Sequence, residues 1–348
     1  MRSPLGRART RVALPTWRFG RLGVTGAFAV AALLLILAIG AVLDLSASRA
    51  GQGRLAEYIR TAMTDPVASI AAAARTHRIV FVADIHGSGA TKRLAADAIE
   101  AVAAQTGLDA VVLEVSLDAQ PFIDRYINTA PENTASLMAN PAVLRQPNPA
   151  AHEYLQIYRR IWRINENVGP DRRIAIYGAD APRWPPSSAV SPAELSRRYA
   201  VRDSVMLEVI ERRIFLRNPR ARVLIFMTGF HGLKGGRGEL KTGGTAPVNV
   251  LWLAARLQAR HPGEVATFLT DAPAGPTSGE VAEYVGTRVP EFLGDEMPSR
   301  TFAVRISDAF DVLSDPLVER DSPGVDFEIL PRGYNLRDMA DTYIRIGS

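Results

Sequence analysis

Five histidines occur in this chain, His77, His86, His152, His231 and His261, and two of them share a setting. His86 stands in Asp84-Ile85-His86-Gly87 and His231 in Thr228-Gly229-Phe230-His231-Gly232, each just after a short apolar run and each followed by glycine. Two further apolar runs deliver acids: Glu114 lies inside the run at 110–115, and Asp180 closes the Gly178-Ala179-Asp180 that follows 174–177. Two imidazoles and several carboxylates in one cleft can do two things. They can bind a divalent cation through nitrogen and oxygen, leaving a position for water. Alternatively, a histidine beside a carboxylate acts as general base while the acid fixes its tautomer. Crowded acids also raise one another's proton affinity, which suits proton transfer. Both schemes point to hydrolysis. The reacting set is Asp84, His86, Glu114 and His231, and the ligands are His86, His231 and Glu114 if a metal is bound.

The elements that must position these groups are apolar runs at 79–83, 110–115, 174–177, 223–227 and 265–269. Their unbroken apolarity predicts strands covered on both faces. Helical patterns at about 91–106, 148–167, 192–217 and 247–260 alternate with them, which predicts an α/β fold with a mainly parallel central sheet between helices. In such sheets ligands bind beyond the carboxyl ends of the strands, where all four groups stand. Residues 54–74 read as helix interrupted at Pro66. In the tail, 302–306, 310–313 and 327–330 read as edge strands, and 335–345 as a last helix.

The composition is that of a globular chain, 47% apolar and 22% charged over 348 residues. With no cysteine, disulfide frameworks, thiolate zinc sites, iron–sulfur clusters and cysteine nucleophiles are excluded. The net charge of +5 is concentrated at the front: residues 1–22 hold six arginines and no acid. The remaining 35 bases face 36 acids, so no footprint for nucleic acid survives. After Arg21 come 22 uncharged residues, Leu22 to Leu43, about 33 Å as a helix and enough for a bilayer core. The arginines before that span place the N-terminus in the cytoplasm and the body outside. The alternative is a cleaved signal peptide processed near Ser46-Ala47-Ser48, which exports the body equally. The expected organisation is a basic cytoplasmic segment at 1–21, an anchor in the inner or plasma membrane at 22–45, a linker at 46–53 and an extracytoplasmic domain at 54–348.

Five fragments in order over about residues 78–255 resemble the superfamily that joins ChaN-like haem-uptake proteins, Tiki peptidases and erythromycin-esterase-like enzymes. They are Ala83-Asp84-Ile85-His86; Leu113-Glu114 with Gln120 and Asp124; Tyr177-Gly178-Ala179-Asp180 running into Ala181-Pro182-Arg183; Arg202-Asp203-Ser204-Val205-Met206; and Gly229-Phe230-His231. The resemblance implies an α/β sandwich and a cleft hydrolase, or a haem or metal binder without catalysis. Asp84 stands where the family has glutamate, one methylene longer. Thr228 stands where erythromycin esterases carry a second histidine, and the histidines that follow the ChaN-like opening motif are missing. These departures count against a macrolide substrate and leave His86, His231, Glu114 and Asp84 as the retained set. The resemblance also makes Arg202 a candidate for orienting a cleft carboxylate, and Asp180 a candidate for binding or orienting the substrate.

The glycine-rich basic stretch 232–244 lacks P-loop spacing and reads as a mobile lid beside His231, with Lys234 offered to an anionic substrate group. Tyr154, Ile157, Tyr158, Ile161 and Trp162 form a stripe at helical spacing that reads as core, although a haem shelf has the same pattern. The expectation is a membrane-tethered hydrolase of a small-molecule or peptide substrate, working with a divalent metal or without one. The rivals are a surface binder of haem or metal and an envelope protein using the fold for protein contacts.

Overall fold

The computed structural model describes residues 34, 37, 48–140, 143, 151–184, 190–235, 237–242, 246, 248–272, 284–313, 317–320, 325–330 and 335–347. The chain divides into two units, Met1–Ala50 and Gly51–Ser348. In the first, residues 34, 37 and 48–50 are described, all helical. The basic segment at 1–21 and nearly all of the span at 22–45 therefore lie outside the described residues. Among the described residues no helix is long and apolar enough to cross a membrane.

In the second unit a seven-stranded sheet is built from β1 (Ile79–Asp84), β2 (Ala110–Ser116), β3 (Ala175–Asp180), β4 (Val223–Thr228), β7 (Val265–Asp271), β9 (Phe302–Arg305) and β12 (Thr342–Arg345), in the order β3-β2-β4-β1-β7-β12-β9. Every neighbouring pair is parallel except β12 with the edge strand β9. Two smaller sheets hold the other strands of the described residues: β5 (Arg237–Thr242) lies between β6 (Val248–Val250) and β11 (Val325–Leu330), and β8 (Tyr284–Thr287) pairs with β10 (Leu317–Arg320).

All residues of β1, β2, β4 and β7 are buried, as their unbroken apolar runs require. Alternation divides them between two cores. Val80, Val82, Val111 and Leu113 pack with Ile99, Tyr154 and Tyr158 from the helices Gly89–Thr106 and Ala151–Glu166. Ile79, Phe81, Val112 and Ile225 pack with Met206, Ile210, Leu253 and Leu257 from Pro192–Ile210 and Leu253–Arg260. Each such side chain contributes about 1.5–3 kcal/mol on burial. This parity sends Asp84 toward the first pair of helices and Glu114 toward the second.

Local chemistry sets the helix starts. Asp65 accepts the Ala68 N–H at 2.8 Å with Pro66 as the first helical residue, and Ser191 and Pro192 repeat the device for Pro192–Ile210. The last turn of that helix widens into a π-helix at Glu211–Phe215.

The tail differs from its sequence reading in two places. The stretch 310–313 falls in a 3-10 turn, Asp308–Val312, because Ser307 caps Ala309 N–H and Phe310 is drawn into the core. Only Leu336–Met339 of 335–345 is helical, and 342–345 is β12, held between β7 and β9 by a ladder that sequence periodicity does not reveal. Residues 51–53, expected as linker, are helical and run into the helix that buries Leu55 and Ile59; Gly51 fits closely against Val312. The 247–260 pattern is the strand β6 followed by a shorter helix. Part of the expected lid at 232–244 is β5, its backbone paired on both sides, while residues 236 and 243–245 lie outside the described residues.

Candidate active site

Four adjacent strands, β3, β2, β4 and β1, end at one rim and deliver Asp180, Glu114, Thr228 and the Asp84–His86 turn. Glu114 stands beside an irregularity in the β2–β3 ladder. The ladder between β2 and β3 shifts register between Leu113 and Ser116, a local irregularity at Glu114, which keeps the face that alternation assigns to it. Position 178 in β3 must be glycine to allow it, since a Cβ there would stand 2.8 Å from the Val115 carbonyl oxygen. Gln120, from the second sequence fragment, braces β3: its amide donates to the Ile176 carbonyl at 2.8 Å and accepts the Gly178 N–H at 2.9 Å.

His86 is held at both nitrogens. Nδ1 lies 3.2 Å from Asp84 Oδ2 and Nε2 lies 2.7 Å from the Thr228 hydroxyl. Asp84 in turn accepts from Lys92 Nζ on both oxygens, at 2.6 and 2.8 Å, and from the Thr91 hydroxyl at 2.7 Å. The ammonium also caps the Ile85 and His86 carbonyls. Burial raises the Asp84 carboxyl, but the charge of Lys92 and the bond with His86 outweigh it and hold the group well below its ordinary 3.8.

His231 is built the same way from the other side of the sheet. Its Nδ1 lies 2.9 Å from Asp203 Oδ1, which also accepts the Leu253 N–H at 2.6 Å. Burial disfavours the imidazolium, yet Asp203 and then Glu114 raise the His231 pKa from 6.5 to about 10. His231 is therefore a cation at neutral pH. Gly232 follows because a Cβ there would press to 2.8 Å from the Phe81 ring.

Glu114 joins the two systems. His86 Nε2 is 3.6 Å from Oε2 and His231 Nε2 is 3.6 Å from Oε1, so a single carboxylate separates the imidazoles. Oε2 accepts the Thr228 N–H at 2.8 Å and its hydroxyl at 2.5 Å, and Oε1 accepts from Arg202 at 2.5 Å. Arg202 also grips Asp180 through two bonds of 2.9 and 2.7 Å, and its guanidinium carbon lies 4.1 Å from the Trp184 ring. All these charged groups are buried; Lys92 is 0% and Arg202 2% exposed. Beside them Tyr199, Arg202, Asp203, Phe230, His231, Val250 and Trp252 line a narrow recess with room for about one water molecule.

The structure thus brings together Asp84, His86, Glu114, Asp180, Arg202 and His231. Lys234 does not join them: its ammonium pairs with Asp341, which also holds Thr267. Arg202 and Asp203, adjacent on one helix, do not pair with each other but serve different partners across the cluster. Sequence reasoning missed Lys92, Thr91, Asp203 and the positive role of Thr228. Lys92 shares a helical face with Ala95, Ala96 and Ile99, and that spacing was the available signal for its burial.

The expected metal set does not fit. Arg202 occupies one oxygen of Glu114, the Thr228 hydroxyl occupies His86 Nε2, and no group of three or more such side chains among the described residues could hold a metal ion. The aromatic stripe is no haem shelf either, since Tyr154, Tyr158 and Ile161 are sealed in the core.

Solved structures match this chain over about four-fifths of its length or more, the following three among them. One is a Bacillus cereus protein, 12% identical with a TM-score of 0.52, covering 85% of this chain and 97% of its own. Another is an erythromycin esterase, a histidine-to-asparagine mutant in its open conformation, 10% identical with a TM-score of 0.52 over 79% of this chain and 91% of its own. The chain has the erythromycin-esterase-like fold. A succinoglycan biosynthesis protein, 8% identical with a TM-score of 0.54 over 85% of this chain and 97% of its own, shares that fold. At these identities the likeness is one of architecture, in agreement with the superfamily resemblance of the five fragments. Neither a family profile nor a curated relative matches the sequence.

Proposed function

We propose that this chain is a membrane-tethered, extracytoplasmic hydrolase of ester or peptide bonds, with His86 as its general base. The observation that carries the reading is the convergence of two carboxylate-oriented histidines on Glu114, each Nε2 at 3.6 Å. His86, whose Nδ1 is oriented by Asp84, presents Nε2 for proton transfer, the usual division of labour for a histidine base. His231, cationic at neutral pH, and Arg202 supply fixed positive charge where a carbonyl oxygen gains negative charge during attack. Asp180 and Glu114 hold the guanidinium in place. Esters come before peptides because an erythromycin esterase is among the proteins of this fold. The tether rests on the uncharged span 22–43 and the arginines before it.

Turnover of 4-nitrophenyl esters and a peptide panel by the full chain in detergent tests the catalytic half. His86→Ala is expected to lower kcat by about 10²–10⁴-fold. Unchanged turnover in that variant sinks the assignment. Protease protection of inverted membrane vesicles tests the orientation, with the domain expected inside.

A further inference from the structure

We infer that Thr228 is the nucleophile of this site: its hydroxyl attacks the scissile carbonyl, and the acyl group passes through an ester on Oγ1. The inference rests on the hydrolase reading and deepens it, because that reading leaves open what His86 activates.

Three side chains stand in the order that nucleophilic catalysis needs. Thr228 Oγ1 is 2.7 Å from His86 Nε2, and His86 Nδ1 is 3.2 Å from Asp84 Oδ2. A hydroxyl, an imidazole and a buried carboxylate in this sequence of contacts are the nucleophile, the base and the group that orients the base. Asp84 is itself fixed by Lys92 and Thr91, so the ring has a rigid seat.

A threonine that only closed a strand would spend its one proton on one acceptor. Here Oγ1 lies within bonding distance of two bases, His86 Nε2 at 2.7 Å and Glu114 Oε2 at 2.5 Å. Glu114 Oε2 is already served by the Thr228 backbone N–H at 2.8 Å. If the hydroxyl proton goes to Glu114, His86 must donate from Nε2, and with Nδ1 donating to Asp84 the ring carries two protons. If it goes to His86, the ring is neutral and ready to accept it. The 2.5 Å bond to Glu114 is the first arrangement, and attack begins when the hydroxyl turns its proton from Glu114 to a neutral His86, a rotation about one bond with both acceptors already in reach.

In the first half-reaction Oγ1 bonds to the carbonyl carbon of an ester RCO–OR′ and its proton passes to His86 Nε2. The C–OR′ bond then breaks, and His86 returns the proton to OR′, releasing R′OH. In the second half, water attacks the acyl carbon, gives a proton to His86, and the C–Oγ1 bond breaks. That proton restores the Thr228 hydroxyl, and RCOOH leaves.

The test uses the full chain with 4-nitrophenyl acetate and a fluorophosphonate probe. Expected are a burst of about one equivalent of nitrophenolate and a covalent adduct mapped to residue 228. Thr228→Val, nearly the same size, should lose both, with turnover down about 1000-fold or more. Thr228→Ser should still take the adduct. The inference is overturned if Thr228→Val turns over within about tenfold of the parent. It is equally overturned if His86-dependent hydrolysis proceeds with no adduct at 228, an outcome that leaves the hydrolase reading intact. If the parent chain gives neither hydrolysis nor adduct, both fall together.

Discussion

The two histidine–aspartate pairs are alike at the ring and unlike behind it. Asp84 carries the full charge of Lys92 on both oxygens and a threonine hydroxyl besides. Asp203 has no such cation among its partners in the described residues; behind its bond to His231 stands the backbone N–H of Leu253. A carboxylate whose charge is already matched serves here to orient its imidazole. A carboxylate left unmatched keeps its imidazole charged, and the pKa near 10 for His231 follows from Asp203 and Glu114 overcoming burial. The lesson is that the third partner distinguishes the pairs: a buried ammonium stands behind one, and a backbone N–H behind the other, whose imidazole is held charged.

Replacing the third partner should break the distinction most severely. Lys92→Met leaves Asp84 as an uncompensated buried carboxylate and is expected to destabilise the fold by about 3–5 kcal/mol in urea unfolding at neutral pH. In the parent, the depressed Asp84 pKa contributes stability present above 3.8 and lost as pH falls through the folded value, so parent and variant should converge in acid. Asp203→Asn is the next largest. It should cost about 1.5–3 kcal/mol and bring the His231 titration, read by NMR, back toward its ordinary range. The raised His231 pKa contributes stability that is complete below 6.5 and lost as pH rises toward about 10, so the gap between parent and variant should close over that interval. A gap that widens with pH would contradict a charged His231. Thr91→Val, which removes one bond to Asp84 while leaving Lys92, should be the mildest at about 1 kcal/mol by the same unfolding measurement.

Much of this arrangement was legible in the sequence. The runs that became β1, β2, β4 and β7 are buried on both faces, and unbroken apolarity reports that condition directly; the run at 174–177 became the edge strand β3, which is only partly covered. The residues after them could be read as one rim because parallel strands end together. Lys92 was hidden by its own chemistry: a lysine on a helix is ordinarily solvated, and only the carboxylate across the interface makes its burial tolerable. Asp203 was hidden by its neighbour, since Arg202 beside it invites an ion pair that the helix geometry does not make. β12 was lost because four residues carry too little periodicity to tell strand from helix, and its identity is decided by β7 and β9 on either side.

One consequence concerns pace. Trp184 lies on the face of the Arg202 guanidinium and meets Tyr199 edge-on, while His86 is 5% and Thr228 1% exposed. Reactants can reach such a site only when part of its covering steps aside. Parting a desolvated cation from an indole costs about 2 kcal/mol, and loop movements of this kind run on microsecond to millisecond clocks. For the proposed hydrolysis, a turnover limited by such uncovering would slow in a viscous solvent and gain little from a better leaving group.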